Sequence, residues 1–340
     1  MKHVAIAGAT GAVGQELLTL LAERNFPIKS LKLLASSRSA GKKIKFKGED
    51  IVVQELRHDS FEGVDLVLSS AGGSISKEFM PSAVNSGAVV VDNTSYFRMN
   101  PDVPLVVPEI NPEDIKKHKG IIANPNCSTI IMLLPLYPLY KAFGVERVHA
   151  TTYQAASGAG AVAMEELRLE SAALAEGKTF NRTVIPHQYA FNLFPHNSSY
   201  NDGSPEKSGS NAPNGYCEEE WKMVAETHKI FADDNLRVNA TCVRVPVLRA
   251  HSEALNIRLS KKTTVAEIYD VLRKAPGVEI LEDPSKNRWP MPIDASGKDP
   301  VLVGRVRVDQ SQDNAFDLWV VGDQIRKGAA LNAIQIAELL

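Results

Sequence analysis

The chain of 340 residues is long enough for two domains, and its 38 basic and 40 acidic side chains leave a net charge of −2. Because these charges form no block of like sign, we expect neither nucleic acid nor a membrane surface as a partner. The three cysteines lack metal-ligand spacing, so no metal site is expected. Glycines come too early for a signal peptide, and no apolar run reaches membrane-spanning length. We therefore expect a soluble cytoplasmic protein.

The N-terminus is predicted to form a strand, a tight turn and a helix. The apolar run 3–7 leads into Gly8-Ala9-Thr10-Gly11-Ala12-Val13-Gly14, and leucines then recur at helical spacing over 15–24. Glycines permit a close backbone approach, so the helix N-terminus can receive a pyrophosphate. The Gly-x-x-Gly-x-x-Gly spacing is looser than the standard fingerprint, and a plain glycine-rich turn is the alternative. Its place between a strand and an amphipathic helix favours dinucleotide binding.

The second predicted strand, 31–35, ends in Ser36-Ser37-Arg38 instead of the acidic residue that bonds the ribose hydroxyls of NAD. An arginine and two hydroxyls can accommodate a ribose 2′-phosphate, so this sequence favours NADP. A solvated loop arginine is the alternative.

Further apolar runs alternate with turn residues or helical spacing and predict a mostly parallel, doubly wound sheet. These runs are 51–54, 66–69, 88–91, 105–107 and 121–123. Arg98 follows the run 88–91, which places it at the carboxyl edge where such sheets bind ligands. An ordinary surface ion pair is the alternative for Arg98.

Cys127 lies where the run 121–123 gives way to the apolar segment 130–143. A thiol in the first turn of a helix faces unpaired backbone N–H groups and the positive end of the helix dipole, which favour a nucleophilic thiolate. The alternative is a small buried core cysteine. Pro135 and Pro138 predict a kink or a short helix after it.

The second half of the chain reads as a mixed layer of strands and helices. A strand over 145–155 carries Gln154 and leads through a glycine-rich turn into a helix at about 162–175. The aperiodic segment 180–216, rich in Pro, Asn, Gly and aromatics, predicts surface loops and a subunit interface. A helix then begins at Glu218-Glu219-Glu220, where the acids could simply stabilise its first turn.

The strand 238–246 carries Arg244, and His251 precedes the strand 254–259. A histidine beside an arginine that can hold a carboxylate has the chemistry of a general base, although a lone histidine is more often structural. The runs 302–308 and 316–321 predict strands of an antiparallel layer. The segment 328–340 predicts a final amphipathic helix that packs on the first domain.

Taken in order, these motifs make the chain resemble the aspartate-β-semialdehyde dehydrogenase family over essentially its whole length. The matching pieces are Gly8 to Gly14, Ser36 to Arg38, Phe97 to Met99, Asn124 to Thr129, Gln154 with Ser157 to Gly160, Glu219 to Lys222, and Arg244 to His251. The resemblance implies an α/β fold, with a Rossmann-type NADP-binding domain over 1–127 plus 324–340. It assigns catalysis and dimerisation to a second, α+β domain over 128–323.

The resemblance also implies residue roles. Cys127 is the nucleophile, His251 the acid/base and Gln154 a positioning group. Arg244 binds the substrate α-carboxylate and Glu219 its amine, although Glu218 and Glu220 stay open for the amine. Arg98 and Lys222 bind the acyl phosphate or free phosphate. The implied cofactor contacts are Gly8, Thr10, Gly11, Ala12, Val13, Ser36, Ser37, Arg38, Ser157, Gly158 and Gln324.

The implied reaction is the NADPH-dependent conversion of aspartyl phosphate to aspartate semialdehyde and inorganic phosphate through a cysteine thioester. This reaction belongs to the biosynthesis of lysine, methionine, threonine and isoleucine. The expected assembly is a homodimer or a dimer of dimers. Two alternatives stay open from the sequence: an N-acetyl-γ-glutamyl-phosphate reductase, whose acetylated substrate needs no acidic partner, and a non-catalytic NADP-binding regulatory protein.

Overall fold

A computed structural model describes residues 1–201, 212, 213 and 215–340. These residues form two compact units, Met1–Asn126 with Gly328–Leu340, and Cys127–Lys327. The functional division expected from the sequence, at 127 and 324, stays a prediction. Within the described ranges, no helix has both the length and the apolar composition needed to cross a membrane.

The strands and helices follow in chain order. The strands are β1 Lys2–Ala7, β2 Ile28–Ala35, β3 Lys43–Phe46, β4 Glu49–Glu55, β5 Leu66–Ser69, β6 Val89–Asp92, β7 Ile121–Ala123, β8 Val145–Gln154, β9 Phe194–Pro195, β10 Arg237–Arg244, β11 His251–Leu259, β12 Val278–Ile280, β13 Val301–Val308 and β14 Ala315–Gly322. The helices are α1 Ala12–Glu23, α2 Gly73–Asn85, α3 Cys127–Phe143, α4 Ala161–Ala175, α5 Glu218–Phe231, α6 Val265–Leu272, α7 Pro292–Ala295 and α8 Leu331–Glu338.

The first unit contains a seven-stranded sheet in the order β3-β4-β2-β1-β5-β6-β7. All neighbouring strands are parallel except the β3–β4 pair. The apolar sequences of β1 and β5 suit this position, because central parallel strands are buried on both faces. The parallel Rossmann-type sheet expected from the sequence is therefore confirmed. The C-terminal helix α8 packs on α1 and β6 of this unit, as expected.

Two expectations for the first unit are wrong in detail. The run 105–107 is not a strand, since it makes only an isolated bridge between Leu105 and Ala123. The predicted run 51–54 lies in β4, but β3 and its antiparallel pairing with β4 at the edge of the sheet were missed. In β3 the half-buried Ile44 and Phe46 alternate with the exposed Lys43 and Lys45, so the apolar signal is weak. Lysines are common on edge strands.

The second unit contains a mixed sheet in the order β12-β13-β14-β11-β8-β10-β9. The predicted antiparallel pairing of the last two long strands is confirmed. Helix α3 packs across β8, β11, β13 and β14. It runs unbroken through Pro135 and Pro138, so the short helix that the sequence allowed is wrong, whereas the alternative of a kink stays a prediction. Proline removes backbone hydrogen bonds from a helix. Burial of the residues from Ser128 to Leu136 offsets this loss.

The segment 180–216, predicted as surface loops, is partly buried where the structure describes it. Tyr189 and Phe194 pack with apolar residues of α4. Glu166 and Glu170 of α4 accept backbone N–H bonds from the segment 183–190. These contacts hold the segment on the second unit. Residues 202–211 and 214 lie outside the described residues.

Candidate active site

Cys127 is the first residue of α3, directly after the segment that follows β7, so the predicted passage from strand to helix is confirmed. The thiol is half-buried, and its Sγ lies 3.6 Å from Nε2 of His251. The two residues are 124 positions apart in sequence. The structure therefore pairs the predicted nucleophile with the predicted histidine.

Three neighbouring strands bring the polar groups of this site together. Gln154 ends β8 and pairs with Arg244, which ends the parallel strand β10. His251 begins the antiparallel strand β11, and its neighbour Ser252 pairs with Tyr153. The carboxyl ends of β8 and β10 thus lie beside the amino end of β11, at one end of the strands.

His251 is fully buried, and its ring is held by the backbone. Its Nδ1 accepts a hydrogen bond of 3.0 Å from the N–H of Ala155, so the neutral ring carries its proton on Nε2, facing the sulfur of Cys127. Burial, reinforced by Arg244, lowers the pKa of His251 to about 3. His251 is therefore neutral at neutral pH, with its Nε2–H directed at the sulfur of Cys127.

Keeping His251 neutral should make the fold sensitive to acid. The pKa of His251 falls from an ordinary 6.5 to about 3 on folding, so the unfolded chain takes up the proton first as the pH drops. The contribution of His251 to the free energy of unfolding is intact above the unfolded pKa. As the pH falls from there to the folded pKa of about 3, we expect a loss of about 1.4 kcal/mol per pH unit. Urea unfolding at several pH values should show a shallower loss in His251→Gln, and equal slopes would contradict the buried neutral ring.

Gln154 and Glu219 form a second polar pair in this unit. Gln154 Nε2 donates to Ser128 Oγ at 3.0 Å and to Glu219 Oε1 at 3.3 Å. Glu219 is buried, and its Oε2 lies 3.6 Å from Nζ of Lys222. Glu220 instead accepts the backbone N–H groups of Cys217 and Cys242 at 3.0 and 3.1 Å. The geometry therefore favours Glu219 over Glu220 as the acid that meets a ligand.

Arg244 is buried and partly unsatisfied. Its Nη1 donates to the carbonyl of Ala155 at 3.0 Å, whereas its Nε finds no acceptor within the part of the chain that the structure describes. Gly158 lies against both Arg244 and His251. A Cβ added at Gly158 would lie 3.0 Å from Arg244 Nη1 and 3.1 Å from Cε1 of His251, so a larger residue would crowd both side chains. A buried donor without an acceptor is costly, so Arg244 Nε marks a place for an anionic ligand.

Ser157 and Gln324, predicted to contact the cofactor, belong to this second unit. Gln324 Nε2 donates to Ser157 Oγ, and its Oε1 accepts from the N–H of Ala250 at 2.9 Å. Together they support the turn before Gly158 and the start of β11. Their proposed contact with the cofactor stays a prediction.

The glycine-rich turn lies in the first unit and fits a dinucleotide. Gly8 has φ +88°, and a Cβ there would lie 2.6 Å from the carbonyl oxygen of Ser70. At Gly14 a Cβ would lie 2.3 Å from Gly8 O, so side chains are excluded from this cradle. Helix α1 begins after Gly11 with no acidic residue in its first turn, and Thr10, Ala12 and Val13 complete the turn. This leaves its N-terminus suited to a pyrophosphate.

Ser36, Ser37 and Arg38 are exposed at the end of β2. Gly8 N–H donates to Leu34 O at 2.9 Å, which sets this end of β2 beside the glycine turn. The structure therefore brings the predicted pyrophosphate and 2′-phosphate contacts to one edge of the first sheet.

Arg98 is buried in the first unit and bonded to the backbone. Its Nε donates to the carbonyl of Asn124 and its Nη2 to the carbonyl of Asn93, both at 2.9 Å. Asn124 in turn donates to Asn93 Oδ1 at 2.6 Å. These bonds fix the segment that precedes Cys127, a role that the sequence did not suggest.

Sequence reasoning missed three residues of the second unit: Ser128, which accepts from Gln154; Ala155, which bonds His251 and Arg244; and His196. Ser128 and Ala155 act through position, which carries no chemical signal in a sequence. His196 lies in the segment assigned to loops. Across the described ranges, no cluster of three or more His, Cys, Asp or Glu could hold a metal ion.

Comparisons with known proteins point to one family over nearly the whole chain. The NAD-binding domain of semialdehyde dehydrogenases matches residues 3–118, and the semialdehyde dehydrogenase dimerisation domain matches residues 136–327. The aspartate-semialdehyde dehydrogenase of Synechocystis sp. is 57% identical, over 99% of this chain and 97% of that protein. That of Bacillus subtilis is 48% identical over the same shares.

Solved structures give the same likeness. Aspartate semialdehyde dehydrogenase II from Vibrio cholerae, complexed with ASA, is 46% identical with a TM-score of 0.94, covering 100% of this chain and 98% of that one. Aspartate semialdehyde dehydrogenase with NADP from Candida albicans is 28% identical with a TM-score of 0.73, covering the same shares.

Proposed function

The chain belongs to the aspartate-semialdehyde dehydrogenase family, and from that premise we propose its reaction and the residues that perform it. The reaction is the NADPH-dependent reductive dephosphorylation of L-4-aspartyl phosphate to L-aspartate 4-semialdehyde. It serves lysine, methionine, threonine and isoleucine biosynthesis in the cytoplasm. The observation that carries this proposal is the pairing of Cys127 Sγ with His251 Nε2 at 3.6 Å.

The thiolate of Cys127 attacks the acyl carbon of aspartyl phosphate, and phosphate leaves with the electron pair of the broken C–O bond. Arg98 and Lys222 are the cations assigned to the phosphate. When bound, NADPH supplies the hydride that reduces the resulting thioester. The oxyanion then collapses, the C–S bond breaks, and the sulfur recovers its electron pair as a thiolate.

This cycle begins and ends with a thiolate, so it needs no proton transfer at sulfur. His251, whose Nδ1 is occupied by the Ala155 N–H, suits such a cycle because its Nε2–H can stabilise the thiolate in each resting state. The proposed role differs from the proton-accepting role that the family resemblance implies. The positive end of the α3 dipole, at Cys127, would stabilise the oxyanion.

The charges of the site match an amino acid. An α-carboxylate would satisfy the buried Nε of Arg244, and an ammonium group would meet the carboxylate of Glu219. A substrate with both groups on one carbon needs two opposite charges in its pocket. This complementarity supports the aspartyl substrate over an N-acetylated one.

The cofactor assignment rests on the first unit. The turn from Gly8 to Gly14 and the N-terminus of α1 would hold the pyrophosphate, while Ser36, Ser37 and Arg38 would bind the 2′-phosphate of NADP. Matching of the dimerisation domain supports a homodimer, alone or paired into a dimer of dimers.

The first test is reduction of NADP by purified protein with L-aspartate semialdehyde, with and without inorganic phosphate. We expect turnover only when phosphate is present, because phosphate must cleave the thioester in the oxidative direction. Turnover with N-acetylglutamate semialdehyde alone would replace the substrate but keep the mechanism. Silence with both aldehydes would support a non-catalytic NADP-binding protein.

Glu219 separates the two substrate assignments. Changing Glu219→Gln should raise KM for L-aspartate semialdehyde about 10-fold or more, because a charge-assisted hydrogen bond to the ammonium group is lost. Initial rates measure the effect, and Glu218→Gln in the same helical turn tests the other acid that the sequence left open for the amine. An unchanged KM in both variants would favour an acetylated substrate.

Arg38 is the proposed determinant of cofactor choice. Changing Arg38→Asp should lower the ratio of kcat/KM for NADP to that for NAD by about 100-fold, because repulsion replaces a charge-assisted contact with the 2′-phosphate. Lys42→Asp, also exposed on the first unit, controls for charge reversal alone. A ratio that stays constant in Arg38→Asp would place the 2′-phosphate elsewhere.

A further inference from the structure

His196 lies in a segment that is bound along the strand carrying Arg244. The short strand β9 pairs with β10 so that Phe194 lies opposite Arg244. One residue beyond β9, the N–H of His196 donates to the carbonyl of Cys242 at 2.9 Å. The backbone position of His196 is therefore fixed relative to Arg244.

The same segment is also bound to the helix that carries Glu219. Ser198 Oγ accepts the N–H of Glu219 at 3.1 Å, and the carbonyl of Ser199 accepts the N–H of Glu218 at 2.8 Å. His196 thus lies in the chain between one anchor at Arg244 and another at Glu219. These are the two residues assigned to the charged groups of the substrate.

The protonation of His196 follows from its neighbours. Its Nδ1 accepts the N–H of Ser198 at 3.1 Å, so the neutral ring carries its proton on Nε2. Burial, reinforced by Arg244 and Lys222 and opposed by Glu219, lowers the pKa of His196 to about 4. The ring is therefore a neutral hydrogen-bond donor at the pH of the cell.

The Nε2–H of His196 is buried and has no acceptor among the described residues. The Nε–H of Arg244 is likewise buried and has no acceptor among the described residues. The N–H of His196 bonds to Cys242, two residues before Arg244 on β10, so the two donors lie on neighbouring stretches of paired backbone. Buried donors without acceptors are rare in folded proteins, and an anion is the ligand that satisfies both.

We propose that His196 donates a hydrogen bond from Nε2 to the substrate α-carboxylate held by Arg244, and so contributes to selection of α-amino-acid substrates. This inference rests on the proposed function, because it takes the substrate to be L-aspartate semialdehyde. The carboxylate would satisfy two buried donors at once.

The test compares two aldehydes on several enzymes. L-Aspartate semialdehyde carries the α-carboxylate, whereas 3-aminopropanal is the same molecule without it. In His196→Leu we expect kcat/KM for L-aspartate semialdehyde to fall about 10-fold or more, through KM, and that for 3-aminopropanal to change less than about 3-fold. His196→Gln, which can place an amide donor near Nε2, should recover most of the loss.

The matched control is His187→Leu, since His187 is exposed and contacts the ring of Phe194. Equal losses with both aldehydes, or no loss with either, would overturn the proposal. Should His196→Leu fail to fold, His196→Asn replaces it, because asparagine is too short to reach the position of Nε2. Equal KM values for His196→Asn and His196→Gln would then count against the contact. Failure of the unmodified protein to turn over L-aspartate semialdehyde would instead overturn the proposed function.

Discussion

Replacing Cys127 by serine is expected to lower phosphate-dependent NADP reduction by on the order of 10⁴-fold or more, since a neutral hydroxyl cannot replace the thiolate that forms the thioester. The histidine beside it does not rescue serine, because its Nδ1 accepts the Ala155 N–H and its Nε2 carries the proton. No base then remains at the sulfur position to activate a hydroxyl. Initial rates with L-aspartate semialdehyde and phosphate measure the loss.

Cys217→Ser is the matched control for this change. Cys217 is the residue before α5, a position that serine favours, and the substitution keeps a small polar side chain there. We expect this variant to retain most of its activity. Residual turnover of Cys127→Ser above about one per cent of the parent rate would contradict a covalent route through this residue.

Replacing Arg244 is expected to have the next largest effect. Arg244→Ala removes both the charge and the fork that would hold the α-carboxylate, and kcat/KM should fall about 100-fold to 1,000-fold. Arg244→Lys keeps the charge but not the bidentate geometry, so we expect it to recover only a small part of the loss. Steady-state rates over a range of L-aspartate semialdehyde concentrations measure both variants.

Arg258→Ala controls for the loss of an arginine from this sheet. Arg258 lies on β11 and pairs at 3.2 Å with Glu146, where both side chains are nearly half exposed. Exposed ion pairs contribute little to stability, so this variant should behave like the parent. A loss in Arg244→Ala that is equal for L-aspartate semialdehyde and 3-aminopropanal would contradict the carboxylate assignment.

The sequence by itself determined the features that depend on neighbours in the chain. Strand, glycine turn and helix at the N-terminus follow from apolar spacing and from glycines between the two periodic segments. The start of α3 at Cys127 follows from an apolar strand, an Asn-Pro-Asn break and a second apolar run. Such patterns are local, because hydrophobic periodicity and turn chemistry act over a few residues.

Only the tertiary structure decided which distant side chains meet and in what state. The register of β8, β10 and β11 brings together Gln154, Arg244 and His251, and no local pattern specifies that register. Backbone groups then decide the chemistry, since the Ala155 N–H sets the proton on His251. Burial likewise decides the state of His196, because it lowers the pKa of a side chain that in the sequence is one polar residue of a loop. Both effects depend on surroundings assembled from residues far apart in the chain, and so they become visible only once the chain is folded.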